Sequence, residues 1–280
     1  MAISAKIVKE LRDATGAGMM DCKKALVESD GDFAKAEKIL KEMGLAAVAK
    51  RAGRATNNGR AFTAIRDGKA VILEMACETD FVARNVDFIA LGEQLCNDII
   101  DNGYTEICPE LENQVQGLIT KIKENMSLKR FEVFDVDSST LASAYIHGEG
   151  TLATLVLLTS TDAEAIGKDE VKELSNDLAL HVAAFNPLYL DKSDVDEAYV
   201  NENKEIFTKQ ALSLGKPEKV VAGIVQGKLN KHFTEICFMQ QAFVKDDSMS
   251  VEKVLQKVSK EVGATLKVVS YTCYKVGVDA

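Results

Sequence analysis

The strongest constraint on the fold is a two-residue punctuation, Asp67-Gly68, set between apolar-rich runs at residues 62–66 and 69–76. A type I′ hairpin turn needs positive φ at both central residues, and Asp-Gly supplies them readily. The pair predicts an antiparallel hairpin with a strongly apolar second strand. That strand continues into Glu74-Met75-Ala76-Cys77-Glu78-Thr79-Asp80-Phe81-Val82-Ala83-Arg84-Asn85, where it breaks into a Thr-Asp pair followed at once by Phe. Thr79 and Asp80 are both good N-cap residues. If either caps a helix, Phe81 stands on its first turn, held out on a rigid support. The heptad step 81, 88, 95 argues instead for Phe81 inside the helix core, so spacing alone leaves the ring's position open.

Helical spacing governs the N-terminal segment. Ile7, Val8 and Leu11 share a face before Gly16, and Met19, Cys22 and Leu26 mark a second helix ending near Gly31. Asp32 caps a third helix with Phe33, Ala36, Leu40 and Met43, stopped at Gly44. Residues 1–44 thus form a small bundle with a thin core, the kind of module that serves for docking. Met19 and Met20 cannot both face so thin a core, which leaves one as an exposed contact. Residues 45–60 are Ala-rich and basic, close on Asn57-Asn58-Gly59, and read as a linker.

Beyond the hairpin, Phe88, Leu91, Leu95 and Ile99 form one helical stripe that stops at Gly103, and Pro109 opens a helix with Leu111, Val115, Leu118 and Ile122. Strand-like runs follow at 130–136, 141–147 and 151–159, the last two joined by the tight loop His147-Gly148-Glu149-Gly150. Val171, Leu174, Leu178, His181 and Phe185 mark a helix ended by Asn186-Pro187, with His181 expected as a packed core residue. Residues 193–232 read as an inserted antiparallel coiled-coil arm. Ser193 is its expected cap, Val195, Tyr199, Ile206 and Leu212 follow on its first helix, and Val220, Ile224 and Val225 on its second. A strand at 242–245, a helix capped by Ser250 and a strand at 265–277 complete the chain. The fold class is α+β: a three-helix module, then a two-part core with antiparallel sheets at residues 61–140 and 141–280, the second part interrupted by the arm.

Catalytic chemistry finds little footing. The three histidines are far apart, no Walker A or Gly-x-Ser-x-Gly pattern occurs, and Glu74 and Glu78 have no support as an acid–base pair. The six cysteines show no CxxC spacing and read as reduced thiols of a cytoplasmic protein. No metal, cofactor or bound nucleotide is expected. No run approaches the ~18 apolar residues of a transmembrane helix, and the N-terminus lacks a signal-peptide core. A net charge of −9 disfavours non-specific binding to nucleic acid. Function is therefore expected in a presented surface. A homo-oligomer stays open.

Several longer motifs carry a resemblance. Leu11-Arg12-Asp13-Ala14-Thr15-Gly16-Ala17-Gly18-Met19-Met20-Asp21-Cys22-Lys23-Lys24-Ala25-Leu26 is similar to the N-terminal signature of the bacterial elongation factor Ts family, and Thr79-Asp80-Phe81-Val82-Ala83 to its second. Tyr145 with His147-Gly148, His181-Val182-Ala183-Ala184 and Phe243-Val244-Lys245-Asp246 follow in the family's order, so the resemblance spans the chain. It implies a guanine-nucleotide exchange factor for elongation factor Tu, with a ubiquitin-associated-like (UBA-like) N-terminal module and no bond chemistry of its own. By the same resemblance, Arg12, Met19 and Met20 dock on the GTPase's nucleotide-binding domain. The Thr79-Asp80-Phe81-Val82 tip intrudes near its Mg²⁺ site with Ile122 as a nearby apolar contact, and His147 disturbs the phosphate-binding loop. Phe243 and Val244 grip another domain of the GTPase. Two departures stand out: Lys123 occupies a place where the family often has Gly, and Ala242 one where Pro is common. The rival expectation is a docking or RNA-associated translation accessory protein without exchange activity.

Overall fold

The computed structural model describes residues 3–215 and 217–278. The chain divides into two compact units, one built from Met1–Phe134, Gly148–Leu152 and Tyr274–Ala280, the other from Asp135–His147 and Ala153–Cys273.

In the first unit, α1 (Ala5–Thr15) is capped by Ser4 and stopped by Gly16 in the left-handed region. It packs with α2 (Met19–Glu28) and α3 (Phe33–Arg51) around Val8, Leu11, Cys22, Ala25, Leu26, Ala36 and Leu40. Asp32 caps α3 as expected, accepting the N–H of Lys35 at 3.0 Å. Gly44 does not end this helix. A Cβ there would stand 3.1 Å from the Thr120 side chain, so the glycine serves a close approach to the helix Pro109–Ile122 rather than a stop. The first part of the expected linker is accordingly the last two turns of α3.

The hairpin forms between β1 (Asn58–Arg66) and β2 (Lys69–Cys77), with Phe62 opposite Leu73 and Arg66 opposite Lys69. Asp67 and Gly68 take φ of 52° and 74°, the two positive values of the expected turn. A single helical turn, α4 (Asp80–Ala83), leads to α5 (Val86–Asn102) and α6 (Pro109–Ile122), and β3 (Met126–Asp135) completes a sheet of order β1-β2-β3. Central β2 is buried along nearly its whole length, which accounts for its unbroken apolar run. Val71, Leu73, Met75 and Cys77 face one core with Phe88, Leu95 and Ile99 of α5 and Leu111, Val115 and Ile119 of α6. Glu74, also buried, pairs with Arg130 of β3 at 2.8 Å and accepts the N–H of Gly277, holding the chain's last segment to the sheet.

In the second unit, β4 (Thr140–His147), β5 (Leu152–Ser160) and β8 (Leu266–Lys275) form a sheet of order β4-β5-β8. A one-turn α7 (Ala163–Ile166) precedes α8 (Asp169–Phe185), which packs with α11 (Val251–Val262) through Leu174, Leu178, Val182, Val254 and Leu255 around Val156, Leu158 and Val268. The expected strand at 242–245 is a short antiparallel hairpin, β6 (Ala242–Phe243) with β7 (Asp246–Ser250).

Between α8 and β6 stands a helical hairpin, α9 (Glu197–Ser213) and α10 (Glu218–Ile236). Asp196, not Ser193, caps α9; Ser193 lies in a 3₁₀ turn closed by a capping box between Asp191 and Asp194. Tyr199 meets His232 at 2.9 Å and Gln210 meets Lys228 at 2.7 Å, an antiparallel pairing. Ala211, Val221 and Val225 are the buried seam residues near the tip, while Ile206, Leu212 and Val220 are exposed. The seam thus runs one position away from the expected Leu212 and Val220. Helical spacing fixes a stripe, but with apolar residues side by side it does not fix which of them meets the other helix. Lys216, part of the expected turn, lies outside the described residues.

Candidate functional site

Strand β2 delivers the chain to the site. Cys77 is its last residue, and its thiol donates to the carbonyl of Thr79 at 3.1 Å. Burial pushes that thiol up to about 12, so it is a structural group rather than a nucleophile. Thr79 then turns out of the strand with φ −127° and ψ 155°, and its hydroxyl oxygen accepts the N–H of Val82, capping α4. The turn is one helical repeat long, so its side chains divide cleanly. Val82 and Ala83 enter the core, and Asp80, Phe81 and Arg84 point outward. Asn85 ends the turn and caps α5 by accepting the N–H of Asp87 at 2.8 Å.

Phe81 is 82% exposed. Leaving such a ring in water forgoes about 2 kcal/mol of burial free energy. Nothing in the local pattern compels this, since Phe88 and Leu95, one and two heptads on, are fully buried. The capped turn, not the heptad, decides where Phe81 points. Val86, at the start of α5, is 77% exposed as well.

The support behind the turn is cross-laced. Glu124 accepts both the N–H and the hydroxyl of Thr79, at 3.1 and 2.9 Å. In the opposite sense, Glu78 accepts the N–H of Asn125 at 2.6 Å and pairs with Arg54 at 3.2 Å. The Asn125 N–H is the main reason the Glu78 carboxyl is held below the usual carboxylate range. Asn58 donates to the Glu78 carbonyl at 2.9 Å, and Asn125 to the Arg54 carbonyl at 2.8 Å. None of these partners was legible in the sequence, because each pair is separated by 20 to 71 positions.

On the outer side, Arg84 lies 3.8 Å from Asp80 and 3.2 Å from Glu149. Glu149 sits in a loop where Gly148, Glu149 and Gly150 all have positive φ. A Cβ on Gly150 would fall 2.3 Å from Arg60, so only glycine fits there.

The other expected contact residues are placed as follows. Arg12, Met19 and Met20 are exposed on the N-terminal helices, with both methionines outward at 44% and 65% rather than one of them. Ile122 is half-buried at the end of α6, packed against the first core. Next to it Lys123 holds φ 70° at the helix C-cap, the left-handed conformation that glycine favours, and its amine lies 3.5 Å from Asp21. His147 belongs to the second unit, exposed, with its ring stacked on Tyr145 and its Nδ1 3.1 Å from that hydroxyl. Val82 and Phe243, read as partner contacts, are each only 6% exposed. Phe243 lies in the second core beside His181 at 6.1 Å, so its ring shapes the surface from behind and Val244, half-buried, forms it. Among the described residues, no three His, Cys, Asp or Glu side chains converge as a metal site would require, and no helix is long and apolar enough to cross a membrane.

A sequence model described as Elongation factor TS matches residues 78–278, beginning two residues before Asp80. The chain belongs to the elongation factor Ts family. Elongation factor Ts of Treponema denticola is 48% identical over 277 residues, covering 99% of each chain. That of Borrelia hermsii is 41% identical over 278 residues, 99% of this chain and 100% of its own. Elongation factor Ts of Clostridium acetobutylicum is 41% identical over 288 aligned positions, 98% and 92% of the two chains. Against these elongation factor Ts chains the alignments also take in α1, α2 and α3, which lie before the span of the family model.

Proposed function

We propose that this chain binds elongation factor Tu in its GDP-bound form and promotes release of GDP and entry of GTP. The observation that carries the reading is Phe81, an apolar ring 82% exposed on a turn whose cap and flanks are fixed by hydrogen bonds. Phe81 enters the GTPase near its Mg²⁺ site with Asp80 beside it. Thr79 caps the turn and Val82 anchors it from within the core. The wedge moves groups that hold the ion, and the diphosphate loses its largest counter-charge. Linkage sets the magnitude: a factor that binds the nucleotide-free GTPase more tightly than the GDP-bound form weakens GDP binding by the same ratio.

The remaining residues divide the docking. Arg12, Met19 and Met20, on a UBA-like module, hold the nucleotide-binding domain, while Ile122 adds an apolar contact near the Phe81 tip and His147 presses on the same domain and disturbs its phosphate-binding loop. Val244, backed by Phe243, grips a further domain. The helical hairpin is the family's coiled-coil arm. No bond is made or broken, and the work is done in the cytoplasm.

Stopped-flow release of a fluorescent GDP from the cognate elongation factor Tu tests the reading. Acceleration of many fold, lost with Phe81→Ala, is the expected result. Stable binding with no acceleration would make the chain a docking partner only, and affinity falling steeply with salt would point to an RNA-associated role.

A further inference from the structure

Glu124 lies outside every contact surface named above, yet its carboxylate touches the presented turn at its most sensitive point. Its Oε2 accepts the N–H of Thr79 at 3.1 Å, and its Oε1 accepts the Thr79 hydroxyl at 2.9 Å. A threonine hydroxyl carries one hydrogen and two lone pairs. Here the hydrogen is directed at Glu124, so the lone pairs are turned toward the N–H of Val82, 3.4 Å away. That capping bond is long for N–H···O and is weak by itself. Charge-assisted bonds to a carboxylate are stronger than neutral ones. The rotation of the Thr79 side chain, and with it the start of α4, is therefore set mainly by Glu124.

The loop bearing Glu124 is itself held. Asn125, the next residue, donates its N–H to Glu78 at 2.6 Å and its side-chain amide to Arg54 at 2.8 Å. Two neighbouring pairs thus bond in opposite directions, Glu124 receiving from Thr79 and Glu78 receiving from Asn125. Such a ladder resists both sliding and twisting of residues 78–79 against residues 124–125. Phe81 stands two positions beyond the held residue, so an error in the Thr79 backbone is carried directly to its ring.

We propose that Glu124 is a positioning residue for nucleotide release, acting through the Thr79 cap to fix the direction in which Phe81 is presented. The proposal rests on the wedge reading of Phe81. A wedge works only if its ring arrives at the partner already oriented; a ring that must be ordered on binding gives back part of the gain. Loss of Glu124 should therefore slow release in the assembled complex more than it weakens assembly, because the docking residues on the other elements are untouched.

A double-variant cycle tests this with the full-length chain. Release of fluorescent GDP from elongation factor Tu is followed over a range of concentrations for the wild type, Glu124→Ala, Phe81→Ala and the two combined. The expected result is that Glu124→Ala lowers the saturating release rate about 5- to 10-fold and moves the half-saturating concentration less than about twofold. In the Phe81→Ala background the same substitution should change the rate by less than about 1.5-fold, since residues that act as one unit are not additive. Glu124→Gln, which keeps the volume and one acceptor, should fall between wild type and Glu124→Ala, and serves if the alanine variant does not fold. Equal fold-losses in both backgrounds, or a loss confined to the half-saturating concentration, overturn the positioning role and leave Phe81 as the wedge. A Phe81→Ala variant as fast as wild type overturns the wedge, and the role of Glu124 with it.

Discussion

The ring of His181 accepts the backbone N–H of Val244 at Nδ1, 3.1 Å away. Since Nδ1 is an acceptor, the neutral ring carries its proton on Nε2, which meets Oε1 of Gln241 at 2.9 Å. Gln241 in turn donates to the carbonyl of Glu235 at 2.9 Å. Phe185, Phe238 and Phe243 surround the imidazole. One buried histidine thus holds the short β6–β7 hairpin to α8 and fixes the backbone of a proposed docking residue.

Burial lowers the His181 pKa from its ordinary value, opposed in part by the bond to Gln241. The unfolded chain then binds the proton more readily than the folded one. This stabilisation is fully present above the unfolded pKa near 6.5 and is lost as pH falls through the lower folded value. Melting temperature should therefore drop between pH 7 and pH 5, and drop less in His181→Gln. Equal pH slopes for the two proteins would show that His181 is not the group responsible.

Phe81→Ala and Phe243→Ala should separate function from stability. The exposed Phe81 ring makes little of the core, so its loss should change unfolding free energy by less than about 0.5 kcal/mol while slowing GDP release. Truncating buried Phe243 should cost about 3–5 kcal/mol. Urea denaturation beside the release assay measures both. A Phe81→Ala variant that unfolds readily would place that ring in the core after all.

Lys123 occupies a left-handed backbone site, which costs a non-glycine residue about 1–2 kcal/mol. Its contact with Asp21 joins two partly exposed side chains and is worth about 0–1 kcal/mol. Lys123→Gly should therefore stabilise the protein by about 0.5–1 kcal/mol once the extra backbone entropy of glycine is subtracted. Chemical denaturation reads this directly. A loss of stability instead would show that the tie between α2 and the end of α6 outweighs the backbone strain.

The helical hairpin has a base that belongs to the fold. Val195, Ile236 and Cys237 are buried with Tyr189, Tyr199 and Phe233, and the Ile236 carbonyl accepts the N–H groups of Leu188 and Tyr189. Replacing residues 204–228 with a short glycine-rich turn should leave a cooperatively folding protein. Removing 193–232 takes away Val195, Tyr199 and His232 and should lower the melting temperature clearly further. Equal melting temperatures for the two deletions would show that the base contributes nothing.

Local chemistry determined much of this protein from the sequence alone. Asp67-Gly68 specified its turn, Asp32 and Ser250 their caps, Gly16 and Gly103 their helix ends, and Pro109 the start of α6, because each acts within a few residues. The motif Thr79-Asp80-Phe81 could be located, and capping chemistry raised the exposed placement that the turn adopts. What only the tertiary structure decided lay between distant segments. Gly44 looked like a helix end and is a close contact with Thr120. Phe243, cast as a partner contact by the family resemblance alone, is buried behind Val244 against His181. Glu124, with no local mark of any role, reaches Thr79 across 45 positions. Caps and turns are short-range and leave a local signature, whereas burial and opposing hydrogen bonds are settled only when remote segments meet.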